Sequence, residues 1–206
     1  MQNRIKQRSI VYIDGFNLYN GIRQFGQKHK WLDVELLAQH LIENNATLMQ
    51  VKFFTAKLNG NNKEVKHQDI YLKALTKHCK KTSIIFGYFS KARKCKHCHH
   101  KNFEEKQTDV NIACEMLKDA YLNNFDTAYL VSGDSDLLYP VNEFKALGKT
   151  IIVAMPPERI SQKLSEVATA SIRINETHLR NSPLPHRIQT ARGFITQPIK
   201  WQKLQY

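Results

Sequence analysis

The sequence predicts an α/β fold with a central, mainly parallel β-sheet covered by helices on both faces. Short apolar runs without polar–apolar alternation recur along the chain, as expected of strands buried on both faces. Segments of helical periodicity separate them, and that alternation is the mark of a parallel sheet built by crossover connections. Two of the apolar runs stop at an aspartate, one at Asp14 and one at Asp134. In a sheet of this kind ligands sit beyond the carboxyl ends of the strands, where the strand order reverses.

In chain order, residues 9–13 (SIVYI) form the first buried strand. Residues 17–26 and 33–44 read as helices, the second capped by Asp33, with Leu36, Leu37, His40 and Leu41 on one face. Residues 48–57 give the second strand, and Asn59-Gly60-Asn61-Asn62 a turn. A long amphipathic helix follows over 63–81, with Ile70, Leu72, Ala74 and Leu75 opposite a basic face, and then the third strand over 83–89. After a basic insert at 90–104, Thr108 caps a helix over 108–123. The fourth strand (127–132), a helix (136–147), the fifth strand (149–154), a helix (160–168) and a sixth strand (170–174) complete the alternation, with Gly148 suited to the end of a helix. The expected organisation is a domain over 1–180 and an arm over 181–206. The arm contains Pro183, Pro185 and Pro198 and reads as an irregular segment or hairpin, able to wrap its own domain or a neighbouring chain. The first and fourth strands, which carry the aspartates, are expected to lie side by side at the reversal of strand order.

A chain of 206 residues with 42% hydrophobic content can build one sizeable core. The net charge of +13 points to nucleic acid as partner, because a strongly basic soluble domain attracts phosphate. No apolar run approaches the ~20 residues that span a bilayer, and no secretory leader pattern is present. The expectation is a cytoplasmic protein that contacts no membrane. Four cysteines in such a chain argue against a disulfide framework. No glycine-rich phosphate loop and no serine or cysteine nucleophile signature stands out.

A pool of negative charge in so basic a chain needs a reason. Asp14, Asp109, Asp134 and Asp136 are expected to meet at one edge of the sheet. Together they would repel one another unless a cation lay among them. Mg²⁺ or Mn²⁺ takes oxygen ligands of this kind along with water and phosphate, and such ions promote hydrolysis of phosphodiesters. Asn17 and Ser132 are placed to orient water or phosphate, and Lys106 to contact the backbone of a substrate or balance the cluster. Taken singly, each aspartate also has a structural reading, as a turn residue or a helix cap.

Three stretches carry a family resemblance: Val11-Tyr12-Ile13-Asp14-Gly15-Phe16-Asn17, Glu105-Lys106-Gln107-Thr108-Asp109-Val110-Asn111-Ile112-Ala113, and Leu130-Val131-Ser132-Gly133-Asp134-Ser135-Asp136. In order and spacing they resemble the motifs of the NYN domain, over about residues 8–175. The tail from Leu184-Pro185 through Trp201 is similar to tails of bacterial members. The resemblance implies a Rossmann-like, PIN-type three-layer sandwich and a metal-dependent nuclease that acts on RNA rather than DNA. It maps the acidic positions onto Asp14, Asp109, Asp134 and Asp136, with Asn17 and Ser132 in support. The rival from another class is a non-catalytic nucleic-acid-binding or regulatory module. A phosphatase-like hydrolase is disfavoured by Phe16, which stands where a second aspartate would be needed.

Within the insert, Lys94-Cys95-Lys96-His97-Cys98-His99-His100-Lys101 contains a Cys-x-x-Cys knuckle. One reading is a structural zinc site in which Cys95 and Cys98 join histidines; the other is a basic loop with free thiols. Cys79 precedes a strand about 20 Å long that Cys95 follows, so it is a poor partner, and Cys114 is expected in the core. Arg93, Lys94, Lys96 and Lys101 are the expected phosphate contacts. Tyr12 and Tyr19 lie near the acidic edge, where packing and base stacking are both open to them.

Overall fold

The computed structural model describes residues 6–60, 62–90, 93–94, 101–102 and 105–202, with backbone alone at 93–94 and 101–102. The strands are β1 (Gln7–Asp14), β2 (Ala46–Ala56), β3 (Thr82–Phe89), β4 (Arg93–Lys94), β5 (Lys101–Asn102), β6 (Glu105–Lys106), β7 (Thr127–Val131), β8 (Thr150–Met155), β9 (Ala170–Arg173), β10 (Arg187–Thr190) and β11 (Gly193–Thr196). The helices are α1 (Gly15–Ile22), α2 (Val34–Leu41), α3 (Lys63–His78), α4 (Thr108–Tyr121), α5 (Leu138–Ala146), α6 (Gln162–Val167) and α7 (Glu176–Arg180).

Seven strands join in the order β6-β3-β2-β1-β7-β8-β9. All neighbours are parallel except β6, a short antiparallel edge beside β3. The chain lays strands outward from β1 to β3, then returns to place β7 on the other side of β1. The reversal of strand order therefore falls between β1 and β7, whose pairing runs from Ser9↔Thr127 to Ile13↔Val131.

Alternation along β1 sends its side chains into two cores. Val11 and Ile13 join Leu18, Leu37, Ala38 and Leu75 on the face covered by α1, α2 and α3. Ile10 and Tyr12 join Ile112, Met116, Val141, Phe144 and Leu164 on the face covered by α4, α5 and α6. The result is the expected three-layer sandwich. Both core layers consist mainly of side chains with no polar atom to satisfy, and burying each fully contributes about 1.5–3 kcal/mol.

One ionic cluster interrupts the second core. Lys52 on β2 donates to Asp119 at 2.5 Å and to Glu115 at 2.6 Å, both on α4. Tyr12 Oη donates to the same Asp119 carboxylate at 2.7 Å. Burial works against the charge on Asp119, but the hydrogen bonds from Lys52, Tyr12 and Asn124 hold its carboxyl below the usual range. These bonds fix α4 in angle and height against the sheet, and with it Asp109 in the first turn.

Several expectations needed correction. The buried face of α2 is Val34, Leu37, Ala38 and Leu41, with His40 exposed; Asp33 caps the helix as expected, accepting from Glu35 and Leu36 N–H groups at 2.9 Å. The first helix ends at Ile22, and short 3₁₀ turns flank Gly26, whose φ of 92° suits glycine. Thr108 is the first residue of α4 rather than its cap. Cys114 is exposed, not in the core. Residues 176–180 form α7, a helix at the end of the expected 1–180 domain where no element was expected.

Residues beyond α7 pack on their own domain. Asp33 N–H donates to Ser182 O, and Trp31 Nε1 donates to Pro185 O at 2.9 Å. The β10–β11 hairpin lies against α3. Leu184, Ile188 and Trp201 are buried in the core of the α1–α3 face.

Removing the Lys52 ammonium would leave Asp119 buried without its cation. Lys52→Met is expected to lower stability by about 3–5 kcal/mol, measured as a shift of the urea unfolding midpoint at unchanged slope.

Candidate active site

The acidic edge is built at the ends of β1 and β7. Asp14 is the last residue of β1 and caps α1: its Oδ1 accepts from Asn17 N–H at 2.9 Å. Its Oδ2 accepts from Ser132 Oγ at 3.1 Å, just past β7. Ser132 Oγ in turn accepts from Asp134 N–H at 3.1 Å, and Asn17 Oδ1 accepts from Gly133 N–H at 2.9 Å. Two of these four bonds, Ser132 to Asp14 and Gly133 to Asn17, tie the two strand ends together.

Two glycines let the backbone pass this point. A Cβ on Gly133 would stand 1.6 Å from Arg159 O, and one on Gly15 2.6 Å from Phe54 O. Both clash with backbone that cannot swing aside.

Asp109 comes from the opposite side, in the first turn of α4, where the helix dipole favours a carboxylate. Oxygens of Asp14, Asp109 and Asp134 lie within 4.8 Å of one another. Asp14 is buried and the other two are half-buried. Burial first, then the charges of Asp109 and Asp134, push the Asp14 carboxyl up to about 6, against the lowering effect of its bonds to Asn17 and Ser132. Burial and the charges of Asp134, Glu105 and Asp136 push Asp109 up to about 6. A cluster of hard oxygen donors that resist ionising together fits a divalent cation.

Asp136 stands apart from this group. It is exposed, inside a 3₁₀ turn capped by Asp134, whose Oδ1 accepts Asp136 N–H at 3.0 Å. Its charge still reaches Asp109. Glu105, which precedes Asp109 in the second motif, is a further acid at the rim. Its Oε1 accepts from Thr108 N–H at 3.2 Å and from Thr108 Oγ, and so caps α4. Gly87 allows this approach, because a Cβ there would sit 3.0 Å from Glu105 Oε1 and 2.5 Å from Lys106 O. The signal was a glutamate three residues before Thr108 at a helix start, although the capping role runs opposite to the expected one. Lys106 is exposed on the edge strand β6.

The insert is described only in part. Arg93 and Lys94 pair with Asn102 and Lys101 as an antiparallel ribbon, β4–β5. Cys95, Lys96, His97, Cys98, His99 and His100 lie outside the described residues. Cys79 is buried, its thiol donating to Asp33 Oδ1 at 3.4 Å, and burial pushes that thiol up to about 12.

A family model described as NYN domain matches residues 8–175. Among curated proteins, 6-hydroxy-3-succinoylpyridine 3-monooxygenase HspA of Pseudomonas putida (strain DSM 28022 / S16) is 30% identical over 166 aligned positions, covering 63% of this chain. The chain spans about half the length of that relative, 53%. A Vibrio parahaemolyticus RIMD 2210633 protein of unknown function, VPA0982, has a solved structure that superposes with a TM-score of 0.60 at 18% identity. It covers 89% of this chain and all of its own, and shows that the fold is shared. No helix among the described residues is long and apolar enough to cross a membrane.

The carboxylate cluster makes a pH-dependent prediction for the metal-free protein. With Asp14 and Asp109 raised from 3.8 to about 6, the folded state binds more protons than the unfolded one between those values. Stability should therefore fall as pH rises through that window. Asp109→Asn removes part of the repulsion and is expected to be more stable than wild type at pH 7, by about 1 kcal/mol after solvent screening. The difference should disappear below about pH 4. Mn²⁺ should reverse the order by stabilising wild type alone. Thermal denaturation across pH, with and without Mn²⁺, reads both effects.

Proposed function

The chain belongs to the NYN domain family, a nuclease-like family, and from that premise we propose that it is a Mg²⁺- or Mn²⁺-dependent ribonuclease that hydrolyses phosphodiester bonds. The observation that carries the reading is the convergence of Asp14, Asp109 and Asp134 oxygens at the point where the strand order reverses. These three hold the cation. When bound, the ion neutralises charge on the phosphate and polarises water for attack.

The chain's own groups supply the rest. Ser132 and Asn17 fix the rotamer of Asp14 and the bend at Gly133, so that the donors do not need to reorganise when a cation arrives. Asp136 takes an outer role, facing solvent two residues beyond Asp134, where it can accept a proton from water. Lys106 on β6 and the cations of the insert, Arg93, Lys94, Lys96 and Lys101, hold the strand through its phosphates. Such contacts position a nucleic acid without reading its sequence. Cys95 and Cys98 of the insert would hold a structural zinc together with histidines of the same segment. About one equivalent of zinc per chain is expected by elemental analysis of protein purified without chelator, and less than half an equivalent argues for free thiols.

The test of the main reading is cleavage of labelled single-stranded RNA, structured RNA and DNA, with Mn²⁺ or with EDTA. Wild type should cut RNA in a metal-dependent way. Asp134→Asn and Asp14→Asn should each lose at least about a hundredfold in rate while still binding RNA. Binding without cleavage by wild type would make the protein a regulatory module, and equal cleavage by wild type and variants would expose a contaminant. The oxygenation named for the Pseudomonas relative belongs to that protein. Uptake of oxygen with 6-hydroxy-3-succinoylpyridine and a reductant, in the absence of RNA cleavage, would move the assignment to that chemistry.

A further inference from the structure

A cavity of about 300 Å³ opens between α1, α3 and the C-terminal arm, on the sheet edge that carries the aspartates. Aromatic side chains form part of its wall, Phe16 and Tyr19 from α1, Phe53 from β2, His67 and Tyr71 from α3, and Trp201 from the arm, with aliphatic Leu and Ile side chains between them. Tyr71 and Trp201 meet edge to face at 6.2 Å, and His67 meets Trp201 at 5.4 Å. The ring of Tyr19 is partly exposed at the mouth, with Lys30 Nζ 4.7 Å from its centroid and 2.8 Å from its hydroxyl. Lys200 stands on the rim, as does the carboxylate of Glu64.

Three features narrow what fits. The first is position. Gly15 and Phe16 line the cavity and directly follow Asp14 in the chain, so the cavity opens at the end of β1 that bears the cluster, on the α1–α3 side of the sheet and not among the acids themselves. The second is chemistry. Aromatic side chains in the lining, with Lys30 and Lys200 also among the lining residues, suit a flat π-system attached to an anion. The third is size. The volume holds one nucleotide and is far too small for a duplex, whose bases are in any case stacked away from reach.

We propose that this cavity is a base-binding subsite, which takes one unpaired nucleobase of the RNA strand whose backbone lies across the carboxylate cluster. The proposal rests on the ribonuclease reading and adds that the substrate is single-stranded at the nucleotide beside the cut. Tyr19 is the stacking platform, Lys30 and Lys200 face the adjoining phosphate, and Glu64 accepts from a ring N–H of the base. Stacking of a base on an aromatic side chain contributes enough to change affinity by roughly five- to a hundredfold, with little dependence on which base it is.

The test is binding, not cleavage, so it is separable from the nuclease reading. It is run in EDTA, where RNA is not cut. Trp31 and Trp201 are the two tryptophans of the chain, and Trp201 lines the cavity, so intrinsic fluorescence reports occupancy. The probes are a short oligouridine, an abasic RNA backbone of the same length, and uridine 5′-monophosphate. Wild type is expected to show quenching with the monophosphate and to bind the oligouridine about tenfold more tightly than the abasic strand. Asn20→Trp, which fills the mouth from an exposed position, and Tyr19→Ala, which removes the platform, should each erase that difference. They should keep the weaker, salt-sensitive affinity for the abasic backbone, and that retained binding shows that they are folded. Equal affinity of wild type for intact and abasic strands would overturn the proposal. So would tight binding of an uncharged pyridine that the monophosphate cannot displace, which would mark a small-molecule pocket. Loss of RNA cleavage in the separate metal assay, with base-dependent binding intact, would sink the nuclease reading and leave the subsite standing.

Discussion

The bonds that join the ends of β1 and β7 set the terms for the rest of the molecule. Ser132 and Asn17 hold two carboxylate-bearing strand ends side by side where electrostatics would separate them. The cost is visible in Asp14 and Asp109, both pushed up to about 6 by burial and by their neighbours. Such a site cannot stabilise the apoprotein. The surrounding structure must hold it in place, and it does so with strands whose burial is continuous up to the acids and with a helix clamped by buried ionic bonds.

That clamp explains how a third carboxylate arrives from a distant part of the chain. Asp109 has no bond to the β1–β7 junction that would seat it there. Its position follows from α4, which Lys52 and Tyr12 fix through Asp119, ten residues along the helix from Asp109. The geometry of the cluster therefore depends on an ion pair that takes no part in it. Around the cluster the net charge of +13 acts at another range. The general positive field draws a polyanion over distances comparable with the Debye length, about 8–10 Å. The acids act only at contact, where a divalent cation could stand between them and a phosphate.

The strands and their aspartates were legible in the sequence because fully buried strands leave continuous apolar runs, and because an aspartate that ends such a run is conspicuous. The adjacency of β1 and β7 followed from the rule that ligand-bearing strand ends flank the reversal of order, and the register between Ile13 and Val131 agrees. Other features depend on tertiary contacts that no local pattern encodes. Val34 and Ala38, rather than Leu36 and His40, face the core because α2 is rotated by its packing on β2 and α7. Glu105 acts as the cap of α4 because β6 folds back on β3 beside Gly87, a pairing of two residues too short to leave a strand signature. Cys114 looked like a core residue from its apolar neighbours, yet its own position on the helix faces solvent.

The boundary of the family match throws light on how the site is divided. The match ends at residue 175, and every member of the carboxylate cluster lies inside it. Trp201 and Lys200 lie outside it, yet Trp201 is buried against Trp31 and Tyr71 and helps to form the cavity lined by α1 and α3. The groups that would hold a cation and the groups that would select what lies against it thus come from different parts of the chain. A relative that shares the aspartates but not the arm would keep the acidic edge and lose this wall of the cavity. On physical grounds, then, substrate preference can vary within the family while the acidic edge stays the same, because the arm contributes to shape and stacking without bearing on the charge balance of the metal site.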